Sequence, residues 1–139
     1  MLVDLLLEAA DRALASSTVS DSNRSISYPN LLRFADVMRR QTEQHTNCAR
    51  VGILLPASVA FAGAYFGVLW AKRVAVPLNF LLPPAELSAV IADAGIDMVF
   101  ATRFFESQLA AIPVKSLYLE DLPLKREVLM GRLRTLPPP

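Results

Sequence analysis

The stretch Arg50-Val51-Gly52-Ile53-Leu54-Leu55-Pro56-Ala57-Ser58, running on without a charged side chain to Trp70-Ala71, decides the fold. Val51 to Ala71 is 21 residues, a length that has to be tested as a membrane span. It also holds Gly63-Ala64-Tyr65-Phe66-Gly67, the small-xxx-small spacing by which membrane helices pair. Pro56 divides the run. A proline biases the residue before it toward extended backbone, so the apolar residues up to Leu55 read as a strand and those beyond as a helix. Ser58 is placed to cap that helix by accepting a hydrogen bond from a first-turn N–H. Ser58–Ala71 then spans about 21 Å at 1.5 Å per residue, short of a ~30 Å hydrocarbon core. The reading is a buried strand and a buried helix of a soluble domain, with the glycines letting the helix lie close on a sheet.

Outward from this pair the periodicity alternates. Toward the amino terminus, Leu2, Leu6, Ala9 and Ala13 recur at helical spacing, and the polar stretch Ser16–Ser25 breaks that helix. After a short segment at Ile26, Ser27-Tyr28-Pro29 is a helix start with proline in the first turn, where its missing N–H costs nothing. Leu31, Leu32, Ala35 and Met38 form the apolar face of this helix, Asn30, Arg33, Asp36, Arg39 and Arg40 the polar one, and polar residues 41–49 end it. Toward the carboxyl terminus the spacing predicts strands at 74–77, 96–101 and 114–119, and helices at 85–94 (stopped by Gly95), 104–111 and Leu124–Leu136. Strands alternating with helices imply βαβ units. The expected fold class is α/β: a doubly wound, mainly parallel sheet with helices on both faces, over residues 1–122. Residues 123–139 are expected to be a basic amphipathic helix and a proline-rich linker.

Composition bounds the rest. With 139 residues, 53% of them apolar, the chain is long and apolar enough for one folded domain and excludes wholesale disorder. Fourteen basic against thirteen acidic side chains lack the basic excess of a nucleic-acid binder, so no nucleic-acid partner is expected. One cysteine and one histidine make neither an internal disulfide nor a Cys/His metal site, and a cytoplasmic setting is the default. The amino terminus, with acids in its first turns, does not read as a secretory signal.

Ligands of open α/β sheets bind beyond the carboxyl ends of the strands. Here those ends carry Pro56-Ala57-Ser58, Leu78-Asn79-Phe80, Thr102-Arg103 and Glu120-Asp121. None has the glycines a dinucleotide or P-loop site requires, which excludes a Rossmann cofactor site. His45 sits among polar residues and reads as solvated, and Cys48 as a bystander. Ser58 lacks a nucleophile elbow and reads as a cap. Arg103 is a candidate for a phosphate, and Glu120-Asp121 for acid/base work or Mg²⁺, although adjacent carboxylates at a strand end are ordinarily solvated. No complete catalytic constellation assembles. The segment after Leu122 carries Lys125, Arg126, Arg132 and Arg134 against Glu127, a surface suited to covering the sheet or, alternatively, to peripheral contact with the inner face of an anionic membrane.

Several segments together resemble one family. Ser27-Tyr28-x-x-Leu31, Arg50–Ser58, Val76-Pro77-Leu78-Asn79, Glu86-Leu87 and Asp93-Ala94-Gly95 have the order and spacing of the N-terminal subdomain of the acyl-adenylate-forming (AMP-binding) ligases. The strings Pro77–Leu82 and Tyr118–Leu122 look closest to the fatty acyl-CoA and acyl-acyl carrier protein synthetase branch. The chain departs from the family pattern at Ala57 (usually Asn), at Lys72 (usually Gly) and at Asn30 in Tyr28-Pro29-Asn30-Leu31 (usually Glu). The resemblance implies a parent reaction in which ATP and a fatty acid give acyl-AMP and pyrophosphate, with transfer to CoA or acyl carrier protein, and with ATP and Mg²⁺ as parent cofactors. The family's Lys-Gly phosphate loop, expected shortly after Pro139, its ribose-binding Asp and its catalytic Lys have no counterpart here. The expectation is therefore an N-terminal fragment, inert alone, with no catalytic, cofactor or metal residues of its own. Asn79 and Phe80 are expected to form at most a wall of the substrate pocket, and the remainder of the ligase is the expected partner. The alternative is a non-catalytic interaction module that pairs through the α/β layer, for example as a homodimer.

Overall fold

The computed structural model describes residues 2–12, 18–22 and 24–126. Helix α1 (Leu2–Arg12) precedes two short strands, β1 (Thr18–Ser20) and β2 (Ser25–Ser27), and the long helix α2 (Tyr28–His45). Then come β3 (Arg50–Leu54), α3 (Val59–Trp70), β4 (Val74–Pro77), α4 (Pro84–Asp93) and β5 (Met98–Ala101). A 3-10 turn (Arg103–Phe105) leads into α5 (Glu106–Leu109), and β6 (Lys115–Tyr118) ends in a second 3-10 turn, Leu119–Asp121.

Strands β3 to β6 form a four-stranded sheet in the order β4-β3-β5-β6, parallel throughout, with Val51 opposite Ala75, Gly52 opposite Val99 and Phe100 opposite Leu117. The expected doubly wound layer is present. Alternation along the strands explains the two faces. Val51, Ile53 and Leu55 of the β3 segment and Met98 and Phe100 of β5 pack under Phe34 and Met38 of α2 and Ala64 and Val68 of α3. Leu54, Val99 and Ala101 point the other way, onto Leu87 and Ile91 of α4 and Leu109 of α5. The β3-to-β4 and β4-to-β5 connections run in opposite directions on opposite faces, so both crossovers have the same hand, as parallel βαβ units require.

Helix α3 carries no charge because it is covered from several sides: the sheet beneath it, α2 alongside, and α1 with α2 around Trp70. No helix among the described residues is long and apolar enough to cross a membrane. The glycines of α3 serve a different neighbour from the one expected. A Cβ at Gly63 would stand 1.9 Å from Cδ1 of Phe34, and one at Gly67 would stand 2.4 Å from Cβ of Met38 and 2.6 Å from the Ala35 carbonyl oxygen. They admit α2, not the sheet. The small-xxx-small spacing therefore marks a close helix pair, here within one α/β domain.

Other local expectations shift for identifiable reasons. Helix α2 continues to His45 instead of stopping at residue 40, because Thr42 is buried and its hydroxyl donates to the Met38 carbonyl (2.8 Å), while Arg39 pairs with Glu43 at 2.8 Å. Asp36, on the face expected to be polar, is buried and held by Arg39 (2.8 Å) and Arg40 (3.3 Å). The expected polar break at 16–25 contains instead an antiparallel hairpin, Thr18 opposite Ser27. The expected helix 104–111 is reduced to the 3-10 turn and α5, and the expected strands 96–101 and 114–119 to 98–101 and 115–118. Of the expected helix 124–136, residues 124–126 are helical and the rest lies outside the described residues.

Both α3 and α4 end in the same six-residue turn. After α4, Gly95 takes φ +66°, its N–H donates to Ala92 O and that of Ile96 to Ile91 O, each at 3.1 Å. After α3 the same bonds run from Lys72 to Leu69 O (3.0 Å) and from Arg73 to Val68 O (3.1 Å), with Lys72 at φ +60°. This is the left-handed helix stop that glycine fits best.

Candidate functional site

Because all four strands are parallel, their carboxyl ends meet at one edge of the sheet. Chain direction reverses between β3, whose helix leads outward to β4, and β5, which leads outward to β6. A crevice is expected there. The structure has a cleft of about 690 Å³ at that place, lined by Ser58 and Ala60 after β3, Thr102 after β5, and Leu119 and Glu120 after β6. Asp21 and Arg24 of the hairpin turn, and Phe34, Leu122, Lys125 and Arg126, complete its walls.

The upper wall is the amino end of α3. Ser58 caps it as expected, its Oγ accepting from Phe61 N–H at 3.1 Å. A second cap arrives from far along the chain: Asp21 Oδ2 accepts from Val59 N–H at 2.7 Å, and its Oδ1 accepts from Arg24 N–H at 2.7 Å. Two of the orphan donors of the first turn are thus satisfied, and the hairpin is tied to the sheet domain. Nothing in the sequence around Asp21 announces a partner thirty-eight residues away.

Next to Thr102 and Glu120 of the lining, Arg103 ties the exits of β5 and β6 together. Its backbone N–H donates to Glu120 Oε2 (2.7 Å), and its guanidinium donates to Asp121 Oδ2 (2.6 Å) and Oδ1 (3.3 Å) and to Glu106 Oε1 (2.8 Å). Its Cζ also lies 4.8 Å from the Tyr118 ring centroid. The hydrogen bond to Asp121, then that to Glu106, holds the Arg103 pKa above its ordinary value. The residues proposed for a phosphate, for Mg²⁺ and for acid/base work therefore bind one another and fix the exits of β5 and β6. His45 is half-buried on the opposite edge, with its carbonyl accepting from Lys115 Nζ (3.1 Å), and Cys48 is half-buried nearby.

Asn79 and Phe80 lie on the far side of the carboxyl edge, away from the cleft lining. Asn79 is exposed and its Oδ1 accepts from Leu81 N–H at 2.9 Å, a local turn that leaves the side chain committed to its own backbone. Phe80 packs 5.3 Å from Phe105, and its carbonyl accepts from Gln108 Nε2 at 2.8 Å. Among the described residues no group of three His, Cys, Asp or Glu side chains is arranged to hold a metal. Arg103, Glu120 and Asp121 are paired with one another, and no strand end carries the glycines of a phosphate cradle.

Residues 8–131 match the sequence family described as AMP-binding enzyme. The chain belongs to this family. Among curated relatives, pyochelin synthetase PchF of Pseudomonas aeruginosa is 33% identical over 92 residues, which cover 63% of this chain and 5% of that protein. Among solved structures, VinN in complex with 3-methylaspartate has a TM-score of 0.77 at 23% identity, over 94% of this chain and 37% of VinN. The inhibitor-bound N-terminal domain of FACL13 from Mycobacterium tuberculosis has a TM-score of 0.74 at 19% identity, over 91% of this chain and 35% of that one. The chain thus has the α/β layer found in adenylate-forming ligases, and it spans a small part of the length of its curated relatives.

Proposed function

We propose that this chain is the N-terminal α/β layer of an ATP-dependent adenylate-forming ligase and that it supplies the scaffold of that enzyme, not its nucleotide grip. The observation that carries the reading is the family match over residues 8–131, seated on the parallel sheet. In the whole enzyme a carboxylate attacks the α-phosphorus of ATP, acyl-AMP forms and pyrophosphate leaves, and the acyl group passes to a thiol. ATP and Mg²⁺ would be held by parts of the enzyme outside residues 1–139, which act with this layer as its partner. Such chemistry needs cations and backbone donors around the phosphates, and at this carboxyl edge Arg103, Glu120 and Asp121 are engaged with one another.

For the acid, the strings Pro77–Leu82 and Tyr118–Leu122 support a fatty acid, with CoA or acyl carrier protein as acceptor, and Asn79 and Phe80 as pocket wall. A second reading, an amino acid, is supported by the relationship to pyochelin synthetase and by the fold shared with VinN, solved with 3-methylaspartate. The test is peptide mapping of the polypeptide isolated from its source, followed by ATP–pyrophosphate exchange with that polypeptide. Residues 1–139 continuous with a Ser/Thr/Gly-rich loop ending in Lys-Gly, and exchange driven by a fatty acid, support the first reading. Exchange driven by an amino acid selects the second. Absence of any carboxylate-dependent exchange contradicts both.

A further inference from the structure

After β4 the chain stays on the sheet as far as Leu78, whose N–H donates to the Ile53 carbonyl at 2.8 Å. Residues 79–82 then form a loop held by side chains. Its own turn accounts for two N–H groups: Leu81 N–H donates to Asn79 Oδ1 (2.9 Å) and Leu82 N–H to the Asn79 carbonyl (3.2 Å). The carbonyls of Phe80 and Leu82 are met from α5, twenty-eight and twenty-six residues further on. Gln108 Nε2 donates to Phe80 O at 2.8 Å and to Leu82 O at 3.1 Å, so one side-chain nitrogen spends both of its hydrogens on this loop. A carboxylate or a thioether of the same length has no such pair to give.

The clamp stands on a firm base. Phe105 and Leu109, on either side of Gln108 in the chain, are buried among Leu87, Ile91 and Val99. Phe105 also packs 5.3 Å from the Phe80 ring. The backbone of Phe80 is therefore fixed by Gln108 and its ring by Phe105, through contacts internal to the α/β layer. We propose that Gln108 is a positioning residue for acid binding: it sets where Phe80 stands and thereby the KM for the carboxylate substrate. The inference rests on the reading of Phe80 as pocket wall. A wall displaced by an ångström binds its substrate measurably less well.

Two variants separate hydrogen bonding from packing. Gln108→Glu keeps the shape and removes both donors, and Gln108→Met keeps the length and the apolar stem without a donor. In the chain itself both should speed hydrogen exchange at Leu81 and Leu82 about tenfold, with the β5 amides unchanged. In the full polypeptide that carries these residues, ATP–pyrophosphate exchange should show the KM for the acid raised about tenfold in both variants, with kcat and the KM for ATP unchanged. A merely structural role would lower the amount of active enzyme and leave that KM alone. Phe80→Ala should raise the same KM, and adding Gln108→Met to it should raise the KM no further, because Gln108 acts through Phe80. Unaltered exchange at Leu81 and Leu82, independent effects in the double variant, or an acid KM that responds to Phe80→Ala but to neither Gln108 variant would overturn the inference. An acid KM that Phe80→Ala leaves unchanged overturns the pocket-wall reading itself, and the inference with it.

Discussion

Gly67 of α3 lies directly against Met38 of α2, and the two backbones approach so closely that the Ala35 carbonyl oxygen and the Arg39 N–H also border the missing side chain. Obstacles made of backbone cannot rotate away. Gly67→Ala is therefore expected to destabilise the fold by about 3 kcal/mol, read as a lower urea midpoint at unchanged slope. Gly63→Ala meets the buried Phe34 ring at three atoms, Cγ among them, which a ring flip does not clear, and should destabilise as well. Equal and near-neutral effects at both positions would mean that α2 does not sit where the structure has it.

Lys72 and Gly95 occupy the same position of the same helix stop, yet only one is glycine. Lys72→Gly should stabilise the protein by about 1 kcal/mol, since a left-handed backbone costs an L side chain more than glycine's extra chain entropy does. Gly95→Ala should destabilise it by about 1 kcal/mol, although nothing lies within 4 Å of the added methyl. Paired thermal melts check both signs.

Asp36 is buried between Arg39 and Arg40. Burial pulls the Arg39 pKa down, but the hydrogen bonds and charges of Asp36 and Glu43 outweigh it and leave the pKa above its ordinary value. Asp36→Ala removes the anion from a half-buried cluster of cations and should cost about 3 kcal/mol. Chemical denaturation measures it, and a loss typical of an exposed pair would contradict the burial.

Asp21 joins the hairpin to α3 through Val59 N–H. Asp21→Ala should lower stability by about 1 kcal/mol, as loss of a helix cap does. Its particular signature is faster hydrogen exchange at Val59, with the Phe61 amide, held by Ser58, far less affected.

Much of this architecture is legible in one sequence. Pro56 and Ser58 mark the strand-to-helix boundary, Ser27-Tyr28-Pro29 the start of α2, and Gly95 the end of α4, because each acts through its own local backbone. What escapes the sequence depends on distant partners. The purpose of Gly63 and Gly67 appears only when α2 is laid against α3. The fate of Arg103 appears only when the exits of β5 and β6 become neighbours, which turns three candidate ligands into one closed cluster. Asp21 caps a helix that begins far along the chain, and Thr42 is polar in sequence yet buried at a helix crossing. Asn79 and Phe80 occupy the carboxyl edge, as their position after β4 requires, but on the face opposite the cleft.

Calorimetric titration of the chain with ATP and Mg²⁺ tests most directly whether these residues are a scaffold without a nucleotide grip. No saturable heat is expected, and no pyrophosphate release when fatty or amino acids are added. Micromolar ATP binding, or carboxylate-dependent pyrophosphate release by these residues alone, would contradict it.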